Sequence, residues 1–531
     1  MTEALTNSAQ TFRSATRVKV PVVAVACLVS AFAAAMAFWA TAGSPMNPLA
    51  FALAFGVVAF LGMLPLAVEF HGNIYDLVSP VTVLSLSYAF LFTFGSIFQA
   101  SGSVPLDRAG VLADFPKALF YAGLGLAGFQ LGYYLVPWRK VTPVAQLEKL
   151  NLPRVVFTFV LLVGVTWLIR IYLATLGVGS ARLGFQTGVL STLGSTAKIV
   201  TDLLSYAIIP MGLYVLKASR GTRFAQPLYR LFFAGGILGE FLFWLLADWR
   251  SRFLIDLGIL IVVTALLSGR LRLWRWVLLG VGGFLLFLPV LANLRVNTVS
   301  TASTRTNQNN PLVFVARSAP MAVSGTLVSY TDSVSRVATD LKSRLTALDF
   351  FVEVIPAADN NGYMHGKTVT KSLPSLVPRF LWHNKPDLQG AKVQVILQYR
   401  LVRRDTMITP PTELYANFGV TGVLAGMIFL GVFIRGVFQL SLLRYGPTLR
   451  GLLLYAPLIG MLVAFQEQGG IFNMTLDFLR TWGVFWVLTF IAYGLLSSRR
   501  GTGASVSDSV MGIAKAGTTA WSGAVGRSEG H

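Results

Sequence analysis

The side chains best suited to chemistry in this chain are arginines beside long apolar runs and a glutamate at the start of one such run. In ADWRSRFLID, residues 247–256, Arg250 and Arg252 stand between two apolar segments, and Asp256 follows Arg252 by four, the spacing of a helical ion pair. A guanidinium fork donates two parallel hydrogen bonds and so matches a phosphate group well. The pair reads as an anion clamp or, more plainly, as arginines that snorkel and anchor helix ends. In TPPTELYANFGVTG, residues 409–422, Thr412 or the proline pair begins a helix with Glu413 in its first turn, where a carboxylate meets the positive end of the dipole. There it is either a terminal charge with Tyr415 as interfacial anchor, or a general base able to take a proton from a sugar hydroxyl. Glu240 and Glu467 are weaker candidates for such a role.

Between these stretches lie KSRLTALDFFVEVI, with Arg344, Asp349 and Glu353, and GYMHGKTVTKSLPSLVPRFLWHNKPD, with His365, Lys367, Arg379, His383 and Lys385 among Pro374, Pro378 and Pro386. The first reads as an amphipathic helix with solvated charges. The prolines of the second exclude a long helix and favour an extended path, which Trp382 and Phe380 would hold at a membrane interface. His365 and His383 have no compact carboxylate cluster beside them, so no metal is expected.

The elements that must position these groups are membrane helices. Of 531 residues, 54% are hydrophobic and 12% charged, and the mean hydropathy is +0.66, far from the composition of a soluble domain. Apolar runs long enough to cross about 30 Å of hydrocarbon occur near 20–41, 48–69, 78–100, 116–137, 155–177, 197–216, 227–247, 252–269, 274–292, 413–436, 450–467 and 477–497. The first follows Arg13, Arg17 and Lys19 but is too long for a cleaved signal, and reads as a retained anchor. The lone cysteine, Cys27, excludes an internal disulfide and a cysteine metal site.

A net charge of +21 would suggest nucleic acid in a soluble protein, but here it divides between the two sides of a membrane. With the N-terminus inside, the inner loops hold Arg139, Lys140, Lys149 and Arg154, then Lys217, Arg220, Arg223 and Arg230, then Arg270, Arg272 and Arg275, then Arg435, Arg444 and Arg450, and finally Arg499 and Arg500. Outer short loops are nearly free of positive charge. Both termini are therefore expected in the cytoplasm. The organisation predicted is a segment 1–19, spans one to nine in 20–292, a large outer loop 293–412 with a helix over 326–356, spans ten to twelve in 413–497, and a disordered tail 498–531. No internal repeat is visible.

A polytopic chain with a large late outer loop, WRSR between two spans, PSLVPRFLWHNKP in the loop and PPTELYANFG leading into the next span resembles the Wzy-type oligosaccharide repeat-unit polymerases, the O-antigen and exopolysaccharide polymerases. At the level of residues the resemblance is confined to roughly 248–256 and 362–422. It implies an all-α polytopic fold of the GT-C kind, in the branch shared with O-antigen ligases, and a glycosyltransferase at the periplasmic face of a bacterial inner membrane. The reaction implied moves a glycan from its undecaprenyl pyrophosphate carrier to a new lipid-linked repeat unit, with neither metal nor nucleotide and with a chain-length regulator and a flippase as partners. Arg250, Arg252, Arg344 and Arg379, with Lys385, would cradle the pyrophosphate, Glu413 or His365 would be the base, and Tyr415 would contact substrate. A ligase that passes the same glycan to lipid A core, and a transporter or flippase of lipid-linked oligosaccharide, remain the rival expectations.

Overall fold

A computed structural model describes residues 20–41, 47–69, 78–100, 113–137, 150–175, 188–219, 222, 224, 226–246, 250–268, 335, 347–377, 382, 390–401, 408–464 and 470–496. Within them the protein is helical, with no β-strand among the described residues. Eight helices precede the large loop: α1 Val20–Thr41, α2 Pro48–Glu69, α3 Pro80–Ala100, α4 Phe115–Leu135, α5 Leu152–Thr175, α6 Gly188–Ala218, α7 Pro227–Leu246 and α8 Arg250–Ser268. The loop contributes α9 Ala347–Asn361, α10 Lys367–Ser372, a 3-10 turn Leu373–Leu376 and α11 Ala391–Tyr399. Then come α12 Pro410–Phe438, continued by a π-helical turn Gln439–Leu443, α13 Leu449–Ala464 and α14 Ile471–Leu496.

Among the described residues five segments are long and apolar enough to cross a membrane: Pro48–Glu69, Pro80–Ile97, Leu152–Tyr172, Pro410–Leu443 and Met474–Ile491. The remaining helices outside the loop coincide with other apolar runs of the sequence. The run at 274–292, the segment 1–19, the tail 498–531 and most of 293–412 lie outside the described residues. Helix faces away from the core stay apolar, with Leu28, Phe32, Trp39, Leu168, Leu228 and Leu231 all exposed. A helix hydrophobic all round belongs in lipid.

The backbone of the assembly is the seam between α4 and α12. Gly128 and Gly132 on α4 face Leu424 and Ile428 on α12, while Gly431 faces Phe129 and Tyr133. A Cβ at Gly132 would fall on the Ile428 carbonyl, and one at Gly431 on that of Phe129. Small residues four apart let two membrane helices approach until their backbones touch, and dispersion then replaces the hydrophobic drive that lipid does not supply. The contacts advance together along both chains, from Tyr121 on Tyr415 to Gln439 on the Pro137 carbonyl. The two helices are therefore parallel. Arg435, counted above among inner-loop charges, is instead 1% exposed, donating to the Tyr133 hydroxyl at 3.1 Å.

A second cluster joins α5, α6 and α7 around Phe159, Ile208 and Phe233. Helix α9 packs over α12, α4 and α3. Its described part runs from Ala347 past Pro356 to Asn361, so the predicted helix 326–356 is helical over 347–356 and extends further, while 326–346 apart from Ser335 lies outside the described residues. Helical turns continue through Leu376, because Pro374 opens a 3-10 turn and needs no amide there. The extended path expected from the prolines is thus replaced by short helix up to that point.

The seam predicts a simple contrast. Gly132→Ala should destabilise the protein in detergent by about 1–3 kcal/mol through overpacking, read as a lowered melting temperature. Gly164→Ala, where a Cβ meets nothing within 4 Å, should leave it unchanged.

Candidate functional site

Helix α12 begins as its sequence demands: Thr409 precedes it in extended conformation, Pro410 and Pro411 take the first two positions, and Glu413 lies in the first turn. After two turns the helix breaks. Gly419 adopts φ 66° and ψ −155°, a conformation open only to glycine, and a Cβ there would meet the Tyr363 ring at 2.9 Å. The break releases carbonyls that a continuous helix would engage. Ala416 O accepts from the Met364 amide at 2.8 Å and the Tyr399 hydroxyl at 2.9 Å, and Asn417 O accepts from the His365 amide at 3.0 Å. The loop segment around Gly362, His365 and Gly366, all three at positive φ, caps the half-helix that carries Glu413. Burial pushes the Tyr399 phenol up to about 12, so it stays a donor at neutral pH.

The Glu413 side chain is 0% exposed. It points at Gly470, where any Cβ would collide with its carboxylate, and toward the Ile471 and Phe472 amides and the Thr368 hydroxyl. Neither carboxylate oxygen reaches a hydrogen bond of full geometry. Asn417, one turn on, donates to Thr368 Oγ1 and to the Glu413 carbonyl, both at 2.8 Å. Met474 N bonds Gly470 O, so the amides in the first turn of α14 have no partner within their helix. Beside the carboxylate, an apolar groove of about 310 Å³ is lined by Leu414, Phe418, Gly422, Gly426 and Phe472.

A polar hub stands next to it. Tyr415 is buried and donates to Asp359 Oδ1 at 2.8 Å, Tyr363 donates to the same oxygen at 3.1 Å, and Lys117 pairs with Oδ2 at 3.1 Å. Partial burial raises the Asp359 carboxyl, but the donations from Tyr415, Lys117 and Tyr363 outweigh it and hold the group below its usual range. Tyr121 stacks on Tyr415 with ring centroids 5.4 Å apart. Asp359 thereby ties α9 to both helices of the seam.

Glu413, His365 and Tyr415 are thus brought together, with the His365 side chain exposed and its backbone in the cap. Arg252 belongs to another set: it is 6% exposed, its Nε lies 3.9 Å from Asp256 Oδ1, and its guanidinium sits 4.0 Å over the Tyr206 ring. Arg250 is the first residue of α8. Arg344, Arg379, Lys385 and His383 lie outside the described residues, and Trp382 is exposed. Beside Tyr206, Ser205 contacts a buried pair, Glu240 on α7, named above as a weaker candidate base, and Arg170 on α5, which sequence reasoning passed over. An arginine within an apolar run was the available signal, since such charges are rare and paired. Thr368, Asn417 and Gly470 carried no signal of their own, being ordinary residues that only the tertiary fold brings to Glu413.

A family model described as a domain of unknown function (DUF8712) matches residues 249–456. That stretch holds the eight residues that the resemblance assigns to the site, from Arg250 to Tyr415, while the weaker candidates Glu240 and Glu467 fall outside it. No curated protein and no solved structure matches the chain.

The Glu413 seat predicts a reciprocal effect. Gly470→Ala drives a methyl group into the carboxylate and should lower the melting temperature, by about 1–3 kcal/mol of stability. Adding Glu413→Ala to the same chain should restore much of the loss, a coupling that two independent sites would not show.

Proposed function

We propose that the protein polymerises oligosaccharide repeat units carried on undecaprenyl pyrophosphate into a surface polysaccharide at the periplasmic face of a bacterial inner membrane, with both termini in the cytoplasm. The observation that carries this reading is Glu413: a wholly buried carboxylate without a complete hydrogen bond, seated where outer-loop residues meet the start of α14. Such a group is costly unless it has work to do. Pyrophosphate is already a good leaving group, so the reaction asks for charge neutralisation, an oriented acceptor and the removal of one hydroxyl proton. Glu413 supplies the base. The apolar groove beside it suits part of a lipid carrier, and the basic loop with Arg344, Arg379 and Lys385, together with Arg250 and Arg252, supplies cationic charge. No cofactor or nucleic acid enters this scheme, while a chain-length regulator and a flippase would act alongside it.

The broken helix at Gly419 favours a second reading, since transporters of lipid-linked oligosaccharide also bind substrate at helix breaks. Their sites lie near the membrane midplane, whereas Glu413 stands in the first turn of α12 among loop elements. A ligase acting on the same carrier shares the chemistry and differs in acceptor.

Purified protein given lipid-linked repeat units in detergent should lengthen them into a ladder, because polymerisation needs no sealed compartment. Glu413→Gln should reduce extension by at least about 100-fold, the usual contribution of a general base. Units that cross vesicle bilayers but never grow would establish transport instead.

A further inference from the structure

We infer that the N-terminus of α14 is a binding site for a phosphate or pyrophosphate group, that the Glu413 carboxylate holds this site in the free protein, and that the arriving group displaces it. The inference rests on the pyrophosphate-linked substrate proposed above and assigns it a place that the arginines alone did not.

Helix α14 runs 26 residues from Ile471, with Gly470 before it. Its first-turn amides have no partner within the helix, and the macrodipole adds positive potential there. Phosphate groups bind at such ends. A helix end by itself is common; what distinguishes this one is a carboxylate that is 0% exposed, aimed at it, and without a hydrogen bond of full geometry. A group attracted by the field but poorly fitted to the donors is replaceable by one that fits them better. Phosphate has more oxygens, spread over a tetrahedron, and more charge. The seat is also shaped for close approach: Gly470 leaves backbone where a side chain would intrude, and Thr368 and Asn417 stand at its edge. The groove along Leu414, Phe418 and Phe472 runs from the same place and offers an apolar path for an attached isoprenoid.

Displacement has a chemical consequence. While Glu413 faces the α14 amides it is wholly buried and without a hydrogen bond of full geometry. Once a phosphate takes those amides, the carboxylate is turned away into a site that now holds another anion, and its affinity for a proton rises. The carrier that makes proton removal useful therefore also strengthens the base.

Binding of inorganic pyrophosphate and of geranylgeranyl pyrophosphate to full-length protein in detergent, read by calorimetry, tests this without turnover. Removing the competing charge should tighten binding: Glu413→Gln and Glu413→Ala should each bind geranylgeranyl pyrophosphate about tenfold more tightly than wild type, with geranylgeraniol showing no gain. A matching gain with inorganic pyrophosphate assigns the site to the phosphates alone; a gain confined to the isoprenoid form assigns it to the headgroup of a lipid. Equal or weaker binding in both variants, or the same gain with the alcohol, overturns the inference. Should the variants unfold, hydrogen exchange on wild type decides: geranylgeranyl pyrophosphate should protect the amides of 471–473, and no protection there refutes the site. A protein that elongates glycans without these effects loses this inference alone, and one that shows them without elongating loses only the polymerase reading.

Discussion

A helix that breaks inside a membrane protein must find partners for the carbonyls it releases, and the docking of the large loop on α12 follows from that constraint at Gly419. The partners are amides at Met364 and His365 and the phenol of Tyr399, all supplied by the large loop. The loop is thereby registered on α12 to within one residue. Asp359 adds a second fixation, joining Lys117, Tyr363 and Tyr415. Glu413 is held between these two attachments, so its position is set by backbone geometry at least as much as by its own contacts.

The parallel seam of α4 and α12 gives this arrangement a rigid base. Its glycines bring Tyr121 onto Tyr415 and Lys117 within reach of Asp359. A separate set of buried charges, Arg170 with Glu240 and Arg252 with Asp256, joins α5, α6, α7 and α8 around Ser205 and Tyr206. Breaking such a pair by removing one member typically costs about 3–5 kcal/mol, which makes these pairs strong determinants of how the helices associate. They hold the second half of the bundle as the glycine seam holds the first.

The helices outside the loop were legible because hydropathy is summed over twenty residues and a few substitutions do not hide it. The start of α12 was legible as well, since a proline pair after a threonine has few other uses, and so was the Arg252–Asp256 spacing. Helix α9 was visible in part, but its run past Pro356 was not, because Leu348, Phe351 and Ile355 are buried by α12 and α4 whatever the local propensity. The break at Gly419 left no mark, since NFGVTG reads equally well as continuous membrane helix. Arg435 looked like a loop charge because its partner, Tyr133, is 302 positions away in sequence. Gly470 and Thr368 were hidden from Glu413 in the same way, by separation along the sequence.

The claim on which the rest turns is that the cap carrying Glu413 faces the periplasm. With the lone Cys27 replaced by serine and His365→Cys introduced, a membrane-impermeant maleimide added to intact spheroplasts should label the protein directly, since His365 is exposed beside the cap. Labelling that appears only after the membrane is permeabilised would place the site on the cytoplasmic side and contradict the account.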